Sequence, residues 1–176
     1  MKIVKLALFL AIVAGLSGAA LSFVFEMTDP IIQEAKIASE KENLVKIYTS
    51  GEEFKAVETN LADYPALKGV YEANSGGSAK GYVYKCSVVG YGGASTPIEF
   101  LIALDKDGKY KGYEVTQVSG ETKGFGSQVA EQPFKDGIVG KNIGDSIDTI
   151  SGATVSSSAV VSGIEQATEH YNANFK

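Results

Sequence analysis

Hydrophobic positions are spread unevenly along the chain. Leu6 to Phe25 is a run of twenty residues without a charge, LALFLAIVAGLSGAALSFVF. At about 1.5 Å of rise per helical residue it spans roughly 30 Å, the thickness of a bilayer core. The pattern predicts an uncleaved single transmembrane helix. A cleaved signal peptide is the alternative, with Ala19-Ala20 as its small-residue site, but the apolar run continues through Phe25. Lys2 and Lys5 precede the span, and Glu26 and Asp29 follow it. That asymmetry predicts a cytoplasmic N-terminus and a main domain on the extracytoplasmic side of a cell membrane. Ala14, Gly18 and Ser22 recur every fourth residue, a spacing that suits close packing on another membrane helix and hence membership of a complex.

Beyond the span the pattern changes. Asp29-Pro30 bends the exit, and Ile31, Ala35, Ala38, Leu44, Val45 and Tyr48 form a partial helical stripe. Residues 49–68 are polar and mixed, with turns expected at Gly51–Phe54 and Asp63–Pro65. Four strands follow: Val70–Ala73, Gly81–Val89, Ile98–Asp105 and Lys109–Val118. Ile98–Asp105 is the most apolar, which predicts a central position. Asn74–Ser78 and Asp107-Gly108 read as turns. Ser146–Ile150 reads as a further strand, and Ser157–Tyr171 as a helix. Val160, Ile164, Ala167 and Tyr171 share one face of that helix. Phe134 is expected in the core. The whole is read as α+β: antiparallel strands packed with helices, carried on a transmembrane helix. Three parts are expected: 1–28 as N-terminus and anchor, 29–69 as a membrane-proximal helix and connector, and 70–176 as the main domain.

Composition narrows the function. The 176 residues hold 16 basic and 21 acidic side chains, and every basic one is lysine. Without Lys2 and Lys5 the balance is 14 against 21, about −7. Nucleic-acid binding needs a basic footprint and is excluded as an expectation, as is docking on anionic lipid. With no arginine there is no bidentate fork for phosphate. Cys86 is the single cysteine, so no intrachain disulfide or cysteine-based metal set can form, and its apolar strand reads as core. His170, the single histidine, is expected to place a cation near a helix C-terminus.

Candidate chemistry concentrates in Ser151-Gly152-Ala153-Thr154-Val155-Ser156. A small-residue turn opening a helix offers unpaired N–H groups to an anion. Gly152 and Ala153 permit close approach of a phosphate, and Thr154 supplies a hydroxyl. Ser156, Ser157 and Ser158 are candidates to cap the helix or bind phosphate oxygens. On the pattern alone, an ordinary helix start is the favoured description, since Ser and Thr are common N-cap residues and Gly a common turn residue. Two glycine-punctuated segments come earlier. Gly90-Tyr91-Gly92-Gly93 can wrap a flat ligand or form a plain loop, and Glu121-Thr122-Lys123-Gly124-Phe125-Gly126 reads as a turn.

The stretch Asp148-Thr149-Ile150-Ser151-Gly152-Ala153-Thr154 resembles the flavinylation motif D-x-x-(S/T)-G-A-T. That motif marks the FMN-binding domain of the G subunit of Rnf complexes and of the C subunit of sodium-pumping NADH:quinone oxidoreductase. The order G-Y-x-G, D-x-D-G and E-T-x-G-x-G upstream is similar to the same family, with Lys123 where Pro is usual and Phe125 where Leu is usual. The resemblance implies FMN joined to Thr154 by a phosphoester that a separate flavin transferase makes. It implies Asp148 and Ser151 as recognition and turn residues, and Tyr91, Glu121, Thr122, Gly124 and Phe125 as neighbours of the flavin ring. It further implies an electron-relay subunit of a membrane complex. Such a complex couples ferredoxin:NAD electron transfer to Na+ or H+ translocation, and the chain's partners would be other subunits and membrane lipid. No independent active site and no metal are expected. A membrane-anchored binding module for a phosphorylated ligand or surface partner is the alternative, and a free-standing flavoprotein reductase is a third.

Overall fold

A computed structural model describes residues 4, 5, 7–15, 17, 18, 22, 41–49 and 53–176. The chain divides into two compact units, Met1–Lys41 and Glu42–Lys176. In the first, residues 7–15, 17, 18 and 22 are helical. The expected membrane span, Leu6 to Phe25, lies partly outside the described residues. Among those described, no helix is long and apolar enough to cross a membrane.

The second unit is built on a five-stranded antiparallel meander: β1 (Glu53–Ala56), β2 (Leu67–Ser75), β3 (Ser78–Val88), β4 (Ile98–Asp105) and β5 (Tyr110–Gln117), in spatial order. Simple alternation along these strands sends side chains to two faces. Tyr84 and Cys86 of β3, and Phe100, Ile102 and Leu104 of β4, point to one face. Val83 of β3, and Leu101 and Ala103 of β4, point to the other. Both faces of β4 are covered, which is why IEFLIALD is apolar almost throughout. The β2–β3 turn carries Gly76 and Gly77 at φ 59° and 76°, the left-handed values a two-residue reversal requires.

The helical residues 41–47 (α1) cover one face with Leu44 and Ile47, joined by Tyr48. The opposite, larger core is closed by α2 (Gln132–Asp136) and α3 (Thr154–Asn174). Along α3, Val160, Ile164, Ala167 and Tyr171 are all buried, and Phe134 of α2 meets Tyr113 edge to face. Each such fully buried aliphatic or aromatic side chain contributes about 1.5–3 kcal/mol relative to exposure. The compact unit therefore starts upstream of residue 70, which itself lies within β2.

Four expectations are corrected. Ser146–Ile150 is not a strand: residues 140–142 already bond to the β4–β5 end of the sheet through Tyr110 N to Lys141 O (2.9 Å) and Gly140 N to Tyr110 O (2.8 Å). Ile147 and Ile150 instead lean on the core from an irregular segment. Glu53–Ala56 is a strand rather than part of a turn. It is a short polar edge, and its pattern carries no buried face. The last helix begins at Thr154, three residues before Ser157. His170 is fully buried rather than poised as a cation. Its ring nitrogens meet Thr59 Oγ1 (3.0 Å) and Tyr84 Oη (3.2 Å), and burial lowers its pKa. Cys86 is buried in the core as expected, and burial pushes its thiol pKa far up.

Candidate functional site

The turn before α3 sets the site. Ala153 N–H donates to Ile150 O at 3.0 Å, closing a four-residue turn in which Gly152 sits at φ 82°. A side chain there would be strained, so Gly is required by conformation. Ala153 then occupies the N-cap position, and no side chain caps the helix. The first intrahelical bond runs from Ser157 N to Ala153 O at 2.9 Å. The N–H groups of Thr154, Val155 and Ser156 therefore lack intrahelical acceptors, at the positive end of a 21-residue helix.

These residues form one side of an open cleft of about 530 Å³. Gly152 to Ser156 line it from the helix, and Tyr91, Thr122, Phe125 and Gly126 from two loops. Thr154 is exposed and Ala153 is buried. Tyr91 and Phe125 are 72% and 57% exposed, so two aromatic faces stand at the rim. The Phe125 loop is shaped by Gly124 at φ 76°, whose N–H donates to Ser127 Oγ at 2.9 Å. Gln128 Nε2 donates to Gly124 O at 2.6 Å and holds the loop's other side.

Of the residues expected from the sequence, Tyr91, Thr122, Phe125, Gly152, Ala153, Thr154 and Ser156 line this cleft. Ser151, Gly124, Glu121 and Ser157 do not line it. Ser157 is fully buried, its hydroxyl accepting from Ile150 N (3.0 Å) and donating to Ala153 O (2.9 Å). Glu121 is also buried, accepting from Gly92 N at 3.0 Å and from the Ser156 hydroxyl. Asp148 lines a separate, smaller cleft with Glu131, Phe134 and Ile150. Val155 and Gly126 line the main cleft but were missed in the sequence. An exposed valine in a first helical turn is the signal that marks Val155 (57% exposed).

The cleft is suited to an aromatic anion. Its size lies within the roughly 300–1,000 Å³ usual for small-molecule sites. The first-turn residues Thr154 to Ser156, whose N–H groups lack intrahelical acceptors, line it together with the exposed aromatics Tyr91 and Phe125. The Glu121 carboxylate is bonded to Gly92 N–H and Ser156 Oγ. Among the described residues no cluster suited to a metal ion exists.

Residues 90–169 match the FMN-binding domain family. The chain is 25% identical to the G subunit of the proton-translocating ferredoxin:NAD(+) oxidoreductase complex of Clostridium ljungdahlii, covering 91% of this chain and 86% of that one. It is 26% identical to the G subunit of the ion-translocating oxidoreductase complex of Methanosarcina acetivorans, over 98% and 96% of the two chains. The fold is like that of NqrC from Shewanella oneidensis, with a TM-score of 0.50 at 19% identity over 72% of this chain and 70% of that one. Residues 90–169, the stretch similar to the FMN-binding domain family, hold both cleft loops and the start of α3.

Proposed function

We propose that this chain is the flavin-carrying electron-relay subunit of a membrane complex that couples ferredoxin:NAD electron transfer to Na+ or H+ translocation. The observation that carries the reading is Thr154. It is exposed at the first position of α3, directly after the Ser151-Gly152-Ala153 turn, and lines the cleft together with Tyr91 and Phe125. A phosphoester between Thr154 Oγ1 and the phosphate of FMN, formed with loss of one water overall, would tie the cofactor to the helix N-terminus. When bound, FMN supplies the reversible acceptance of electrons that a relay needs.

The residues of the chain bind and orient. The N–H groups of residues 154–156 would hold phosphate oxygens without any arginine or metal. Phe125 and Tyr91 would offer faces to the ring system, and Thr122 a hydroxyl at its edge. Gly152, where an added Cβ would have only Phe125 Cδ1 nearby at 4.0 Å, keeps a side chain out of the space between helix and loops. A flavin transferase would make the ester, with Asp148 and Ser151 as recognition and turn residues. A covalent bond matters if the domain lies outside the cytoplasm, where lost FMN is not replaced. The apolar run from Leu6 to Phe25, flanked by Lys2 and Lys5, supports an anchored chain with its main domain on that side. The two relatives, each named as one member of a multi-subunit oxidoreductase complex, support the other members of such a complex as partners.

The test is made in membrane vesicles from the native host, with Thr154→Ala in the chromosome. Ferredoxin-dependent NAD reduction is expected to fall about tenfold or more while the complex still assembles. An assembled complex with unchanged activity would contradict the relay role.

A further inference from the structure

Glu121 stands at the junction of three segments that build the cleft. Its side chain is only 8% exposed. One carboxylate oxygen accepts from Gly92 N–H at 3.0 Å, and the other accepts from Ser156 Oγ, itself 1% exposed. A Cβ on Gly90 would lie 2.3 Å from Oε1, and a Cβ on Gly126 would lie 2.3 Å from Oε2 and 2.7 Å from Ser156 Oγ. These distances are impossible for a real side chain. Two glycines of the 90–93 and 121–126 segments thus make room for this carboxylate rather than for a ligand. The packing continues outward: a Cβ on Gly92 would strike Gly120 O at 2.3 Å, and one on Gly120 would strike Thr96 Oγ1 at 2.0 Å.

The geometry points to Glu121 as a positioning residue for the modification site. It acts through Gly92 N–H and Ser156 Oγ to fix the first turn of α3 against both loops, and so holds Thr154 where the phosphate must be attached. The inference rests on Thr154 as the flavin acceptor. Ser156 lies two residues beyond Thr154, and α3 has no side-chain cap of its own. Glu121 therefore ties the first turn of α3 to a distant loop through the Ser156 hydroxyl and leaves the helix N–H groups uncapped, at the helix end where a carboxylate suits the dipole. Both partners of the carboxylate are donors. A glutamine can replace it, because its carbonyl accepts from Gly92 N–H and its amide donates to Ser156 Oγ, which can accept. An alanine can do neither.

The experiment expresses the full chain in its native host as wild type, Glu121→Gln, Glu121→Ala and Ser156→Ala. Two readouts are taken: the FMN-bearing fraction by intact mass, and hydrogen exchange of peptides covering 90–93, 152–157 and β4. Glu121→Ala is expected to lose about tenfold of the modified fraction and to speed exchange about tenfold in the first two segments, with β4 unchanged. Glu121→Gln should match wild type in both. If Glu121→Ala unfolds, Ser156→Ala decides, and is expected to loosen 152–157 and lower the modified fraction with β4 still protected. Unchanged exchange in the Ala variants overturns the inference. So does a Gln variant with native exchange but no modification, which would mean direct contact by the carboxylate with cofactor or transferase. An unmodified wild type would refute Thr154 as acceptor, while the exchange arm would still decide the brace.

Discussion

The amide of Ile150 donates to the hydroxyl of Ser157 at 3.0 Å, locking the end of the pre-helix segment to the first turn of α3. That hydroxyl's own proton goes to Ala153 O at 2.9 Å. Ser157 thus holds the turn that presents Thr154 rather than any ligand. Ser157→Ala leaves the Ile150 N–H without this acceptor and is expected to cost about 1–3 kcal/mol in urea unfolding. Ser158→Ala, at the exposed neighbouring position, should change stability by less than about 0.5 kcal/mol. Equal effects would mean that the turn is held by something else.

Gly163 marks the closest approach of α3 to the sheet. A Cβ there would come within 2.9 Å of both Phe100 Cζ and Val88 Cγ1. Two effects oppose each other in Gly163→Ala. Helix propensity gains about 1 kcal/mol, while overpacking a filled core costs about 1–3 kcal/mol. The buried contact is expected to win because Phe100 and Val88 are both buried within the larger core. Thermal unfolding is expected to show a lower Tm. A raised Tm would mean that the helix shifts freely on the sheet.

His170 gives the fold a pH dependence. Burial lowers its pKa in the folded chain below the 6.5 that it keeps when unfolded. Below that value the unfolded chain binds the extra proton, so stability is full above about pH 6.5 and declines as pH falls through it. Its surroundings are Thr59, Tyr64, Tyr84 and Phe175, none of which offers an anion to offset the charge. Unfolding free energies of wild type and His170→Gln, measured from pH 7.5 to 5.5, should diverge. The wild type loses more on acidification. Parallel curves would show that the ring is protonated without cost.

Much of this was legible in the chain because periodicity reports burial. The strands around Ile98–Asp105, the turns at Gly76-Gly77 and Gly108, and the α3 stripe all follow from side chains that must face a core. β1 escaped because, in a four-residue edge strand, only Phe54 leans on the core. Ser146–Ile150 misled because Ile147 and Ile150 are apolar for packing, not for pairing. At the site, motif order marked the cleft segments, but which side chains open into it was hidden. Glu121 and Ser157 look from the sequence like ligand-facing polar groups, yet their bonds turn inward. A sequence lists hydrogen-bonding groups without saying which of them the fold has already satisfied. His170 misled in the same way, since only tertiary contact with Tyr84 and Thr59 reveals its burial.

The central claim is the bond at Thr154, and the intact mass of the denatured chain from its native host tests it most directly. Wild type is expected to weigh more than its sequence by FMN less one water, and Thr154→Ala to show the bare mass. Because Thr154 is exposed, the variant should otherwise fold with a stability within about 0.5 kcal/mol of wild type. A bare wild-type mass, from cells whose flavin transferase modifies a control protein, would contradict the account.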